Sequence, residues 1–73
     1  MTNTVDDEDI QSAIESAFQR AVLIDETKID VSVNNGVVTL TGEVMNYAIK
    51  RDVLDIAMYT VGVISVIDEL EIE

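Results

Sequence analysis

Val31-Ser32-Val33-Asn34-Asn35-Gly36-Val37-Val38-Thr39-Leu40-Thr41-Gly42-Glu43-Val44 is the stretch that decides the fold: two β runs around an Asn-Gly turn. Before the turn, Ile29, Val31 and Val33 alternate with Asp30 and Ser32; after it, Val38, Leu40 and Val44 alternate with Thr39, Thr41 and Glu43. A period of two gives each strand one apolar and one wet face. Asn35-Gly36 suits a type I′ turn, whose two central residues both need φ > 0, which glycine adopts freely and asparagine tolerates. A hairpin is therefore expected, with strands over 28–34 and 37–44.

Helical patterns flank this hairpin. Ile10, Ala13, Ile14, Ala17, Phe18 and Ala21 fall on one stripe at helical period, which predicts an amphipathic helix over 5–22. Thr4 or Asp6 can cap it, and Thr4-x-x-Asp7 fits a loose capping box. The acids at 6–9 then face the positive end of the helix dipole, worth ~0.3–1 kcal/mol each before their mutual repulsion. A calcium loop needs carboxylates at alternating positions around a central glycine, and this run has neither. Residues 22–28 connect onward, with Leu23 and Ile24 either closing the core or lying exposed.

A second helix is expected over 47–61, with Asn46 as its N-cap. Ile49, Val53, Ile56, Ala57 and Thr60 form its inner stripe, widened by Leu54, Met58 and Val61. Gly62 stands where a left-handed C′ residue is wanted, with Val63 as the hydrophobic contact of a Schellman motif. A last strand over 64–72 places Val66, Leu70 and Ile72 on one face with Asp68, and Ser65, Ile67, Glu69 and Glu71 on the other. The order is α-β-β-α-β, and the 73 residues make one domain.

Composition narrows the chemistry. Fifteen acids against four bases leave a net charge of −11, which excludes nucleic acid as a partner because phosphates need cationic neutralisation. The acidic surface is either simply solubilising or an electrostatic attractant for a basic protein or a cation. The chain has no cysteine and no histidine, so it has no disulfide, no thiolate metal site and no Ser/His/Asp or Cys/His catalytic set. No catalytic, metal or cofactor residue is assigned, and no enzyme activity is expected. No apolar run reaches the ~20 residues of a membrane-spanning helix. The N-terminus Met1-Thr2-Asn3-Thr4-Val5-Asp6 has neither a basic nor an apolar signal region, so the expected location is cytoplasmic, or periplasmic if the sequence is excised from a longer exported protein.

Two features stay open at this level. Lys50 and Arg51, the only adjacent bases, can bind an anion near a helix N-terminus or pair with surrounding acids. Gly42 sits in a strand, where glycine marks a bulge or a close backbone approach. The first reading is a helix packed over it, the second a ligand at the backbone. Tyr47, Tyr59 and Phe18 are too scattered to form a base-stacking platform.

Gly36-Val37-Val38-Thr39-Leu40-Thr41-Gly42-Glu43-Val44, then Ile56-Ala57, Val61-Gly62-Val63 and the tail Val66-Ile67-Asp68-Glu69-Leu70-Glu71-Ile72 resemble the BON domain, a bacterial module of osmotically inducible periplasmic and nodulation-related proteins. The resemblance covers nearly the whole chain. It implies an α+β fold, an α-β-β-α-β two-layer sandwich with two helices on one face of a mixed three-stranded sheet. It also implies a non-enzymatic binding module associated with phospholipid or the cell envelope. A cytoplasmic branch resembles a potassium-binding protein, so the alternative is a cytosolic acidic protein-interaction or potassium-responsive module. The family has no short ligand motif to transfer, and neither ligand-binding residues nor oligomeric state are assigned.

Overall fold

The computed structural model describes residues 6–21, 24 and 28–73. Its elements are α1 (Asp7–Arg20), β1 (Ile29–Asn34), β2 (Val37–Val44), α2 (Tyr47–Met58) and β3 (Ser65–Ile72). The sheet order is β1-β2-β3, with β1 antiparallel and β3 parallel to β2. A parallel neighbour needs a crossover, and α2 supplies it. The α+β order and the mixed sheet stand as expected.

The hairpin is set by its turn. Asn35 has φ 52° and Gly36 φ 81°, the pair of positive angles a type I′ turn demands. The resulting register puts Val33 opposite Val38 and Val31 opposite Leu40. Across the parallel pair, Val38 meets Val66 and Gly42 meets Leu70. These rows form the inner face. Both helices cover it: Ile10, Ile14 and Phe18 from α1 and Val53 and Ala57 from α2 are buried, together with Val38 and Leu40. The i, i+4 spacing of the three α1 residues stacks them on one line. Ala13 is exposed and Ala17 and Ala21 half-buried, so the buried stripe is narrower than its sequence pattern.

The first helix is shorter than the expected 5–22. Ala21 already has extended backbone, φ −86° and ψ 109°; positions 5 and 22 lie outside the described residues. So do Thr4 and Leu23, whereas Ile24 is buried in the core. Asp6 is the N-cap but makes no capping side-chain bond. Asp7, expected to close a capping box, reaches elsewhere. Its Oδ2 accepts from the Asn35 amide at 2.9 Å and its Oδ1 from the Gly36 amide at 3.1 Å. One carboxylate thereby ties the start of α1 to the hairpin turn. Two charge-assisted bonds, one of them exposed, are worth ~1–2 kcal/mol net. Chemical denaturation of Asp7→Ala should show that loss, with faster hydrogen exchange at Asn35 and Gly36. A loss under about 0.5 kcal/mol, the scale of a neutral surface change, would deny the latch.

Asn46 caps α2 as expected, accepting from the Ile49 amide at 2.9 Å. The helix stops at Met58 rather than at 61. The Thr60 hydroxyl donates to the Ile56 carbonyl at 2.7 Å, and the Thr60 amide bonds Ala57 three residues back, which tightens and ends the last turn. Gly62, φ 98°, is therefore not a Schellman C′ residue. It is the third residue of a turn closed by the Val63 amide on the Thr60 carbonyl at 3.2 Å, where a positive φ is required. Val63 still packs partly against the core. Val61 lies past the helix end and is 78% exposed; Met58, the last helical residue, is turned about one residue's rotation from the buried Ala57 and is 57% exposed.

Gly42 is structural for a different reason from the one expected. What an added side chain meets first is backbone, not a helix. Gly42 has a φ of +127°, and an added Cβ would collide with the Lys28 carbonyl oxygen and stand 3.0 Å from the Ile29 Cα. The backbone leading into β1 closes over this point of β2.

Candidate functional site

The strand and helix directions sort the surface into two ends. One holds the hairpin turn, the first turn of α1 tied to it through Asp7, and the segment after α2. The Ile64 amide donates to the Gly36 carbonyl at 2.8 Å, so the start of β3 belongs to this end too. The opposite end holds the loop from β2 to α2, the start of β1, the end of β3 and, one helix length of about 20 Å away, Arg20 in the last turn of α1.

The four bases are not spread evenly. Arg20, Lys28, Lys50 and Arg51 all belong to the second end or the helix turn beside it. Lys50 pairs with Asp68 at 3.2 Å, both side chains half-buried, and Lys28 with Glu73 at 3.2 Å. Of the two expected fates of Lys50 and Arg51, pairing holds for Lys50. Arg51 is exposed and has no ion pair among the described residues. Asp68 lies on the inner face because β3 alternates, and its other oxygen accepts from the Leu70 amide at 3.0 Å. An inward-facing charge on an edge strand discourages pairing with a further strand.

Two exposed apolar side chains stand at the start of α2. Met45 is 71% and Tyr47 65% exposed, and Tyr47 and Arg51 share a helix face at i, i+4. A pocket of about 60 Å³ at this end is lined by Lys28, Ile29, Glu43, Val44, Met45, Ile49 and Glu73, and by neither Tyr47 nor Arg51. It has room for a few waters and falls well below the ~300 Å³ of ordinary ligand sites. Sequence reasoning singled out Lys50 and Arg51 but not Met45; no periodicity marks an exposed loop methionine.

The uncovered face of the sheet carries Asp30, Thr41 and Glu69 in one row and Glu43 beside Glu71 in the next. No three acids converge to hold a metal ion among the described residues. Like charges directly opposed across strands repel, at a cost of roughly 0.5–1 kcal/mol. Salt should relieve this, because ~0.15 M shortens the Debye length to about 8 Å. The melting midpoint is expected to rise by about 3–6 °C between low and moderate potassium chloride. A midpoint lowered or unmoved by salt would refute the repulsion.

Among the described residues, no helix is long and apolar enough to cross a membrane, and no polar or charged side chain is buried. The site chemistry is that of solvated surface groups, suited to recognition. No curated protein matches the chain significantly. The family model for the BON domain matches residues 6–73, from the N-cap of α1 through the last strand. Such domains are generally binding modules. With the match spanning nearly the whole chain and the α-β-β-α-β order in place, this protein belongs to the BON-domain family.

Proposed function

We propose that this domain is a non-enzymatic binding module that associates with phospholipid surfaces through the end bearing Met45, Tyr47 and Arg51. One observation carries the reading: exposed apolar side chains and the domain's scarce bases occupy the same end. A tyrosine and a methionine seat in the headgroup boundary while a neighbouring arginine meets phosphate. The net charge of −11 opposes approach to anionic lipid, so binding is weak and orientation-specific. The helix N-terminus beneath Tyr47 adds a favourable field for phosphate.

Flotation with phosphatidylcholine vesicles, with and without phosphatidylglycerol, tests this. Arg51→Glu should reduce the bound fraction about fivefold, since one basic residue at a membrane surface is worth ~1 kcal/mol. Tyr47→Ala should reduce it comparably. Binding untouched by both substitutions would reject this end as the lipid site.

The high acidity favours a second reading, a cytosolic acidic protein-interaction or potassium-responsive module. The salt titration separates its ionic part. A midpoint raised by potassium well beyond equimolar sodium supports a specific cation response, and equal effects leave only screening.

A further inference from the structure

We propose that the opposite end of the domain is a docking surface for a cationic, amphipathic segment of a partner protein. This goes beyond the lipid reading and does not depend on it. Met58, Tyr59, Val61 and Ile64 are 57%, 81%, 78% and 77% exposed, four large apolar side chains within seven residues. Exposed apolar side chains gathered this closely at one end of the fold mark an interaction site rather than the ordinary scatter of single residues.

The patch is fixed by backbone bonds. The turn from Thr60 to Val63 is closed at 3.2 Å, and the Ile64 amide is anchored on Gly36 at 2.8 Å. The side chain of Ile64 lies over Gly36, where an added Cβ would stand 2.8 Å from its Cδ1. Gly36 is in turn held by Asp7. A surface ordered before binding loses little entropy on complex formation.

Charge identifies the occupant. No lysine or arginine lies at this end, because all four belong to the other half of the fold. The acids are close by. Asp6, Glu8 and Asp9 are exposed around the latched first turn of α1, and Asp55 lies one helical turn before Tyr59 on the same face. A lipid phosphate finds no cation here and meets only like charge. A segment with aliphatic anchors flanked by lysine or arginine satisfies both the apolar patch and its acidic rim, and the field of the whole domain speeds its approach.

The test uses the intact chain and a synthetic 14-residue amphipathic helix of leucine and lysine as probe. Amide chemical-shift perturbation should concentrate at 58–64 and 6–9, and a lysine-only peptide of equal charge should bind at least tenfold more weakly. Tyr59→Ser/Val61→Ser, both highly exposed, should weaken the leucine–lysine peptide at least tenfold while the melting midpoint stays in place. Perturbations spread over the acidic face of the sheet, or an affinity unmoved by the double substitution, would overturn the proposal. So would either rival occupant. Sedimentation showing a dimer abolished by the double substitution assigns the patch to a second copy. Phosphatidylcholine flotation lost in the same variant, with Arg51→Glu without effect, assigns it to a bilayer.

Discussion

Gly42→Ala is expected to remove about 3 kcal/mol or more of stability, a large share of what a domain of this size has. Two independent penalties combine. At φ +127° an L side chain is strained, and the added Cβ runs into the Lys28 carbonyl and the Ile29 Cα, both backbone. Strained backbone costs ~1–3 kcal/mol, and overpacking a similar ~1–3 kcal/mol. Backbone cannot swing aside as a side chain tip can. Total stability at ~0.05–0.15 kcal/mol per residue is roughly 4–11 kcal/mol, so the variant should unfold at markedly lower denaturant. Gly36→Ala is the control. Its φ of +81° is nearer the ordinary left-handed region, and its new Cβ meets chiefly the flexible end of Ile64, so a smaller loss is expected. If Gly42→Ala stays within about 0.5 kcal/mol of the parent, the close strand approach is not constraining. That result would reopen the reading in which a ligand approaches the backbone there.

Phe18→Ala should be comparably severe. Phe18 is 2% exposed and is the largest side chain in the core, one turn beyond Ile14 on the line that α1 lays across the sheet. Truncating a buried phenylalanine costs ~3–5 kcal/mol, the lost transfer energy plus the cavity left behind. The cavity cannot refill cheaply, because Val38 and Leu40 in the same core are fixed by strand pairing on both sides. Phe18→Leu keeps most of the volume and should cost well under half as much. Equal losses for Phe18→Leu and Phe18→Ala would show that ring geometry, rather than filled volume, is what the core requires. A negligible loss for Phe18→Ala would mean that α1 is not held by this contact.

The two ends of the domain make a joint functional expectation. On the proposed readings, lipid association should respond to Tyr47 and Arg51, and peptide association to Tyr59 and Val61. Because the two groups sit at opposite ends of α2, substitutions in one should leave the other activity intact. Their additivity is a further check, since sites far apart with no shared partner usually add.

The sequence by itself determined the architecture, and the physical reason is periodicity. Alternation through Val31–Leu40 and the Asn35-Gly36 turn depend only on neighbours a few residues apart, so the hairpin and its bounds over 37–44 were legible before any contact was known. The same holds for the Asn46 cap, whose bond to Ile49 spans three residues, and for Ile10, Ile14 and Phe18. Family membership was legible from the same segments, since the glycines and apolar positions that carry it are those that shape the fold.

Only the tertiary structure decided what depends on partners distant in sequence. Asp7 could be read as a helix cap until the hairpin turn, 28 and 29 residues away, was seen to claim its carboxylate. Gly42 looked like a place for a helix, but the residues that crowd it precede it by 13 and 14 positions, where the chain enters the neighbouring strand. Val61 fits the helical stripe arithmetically, yet the helix ends at Met58, where the Thr60 bond to Ile56 closes the last turn, and leaves Val61 exposed. The gathering of all four bases at one end, with exposed apolar side chains at both, was likewise hidden. Helical and strand periods tell which face a residue occupies, whereas the end of the fold at which it lies is set by how the elements run against one another.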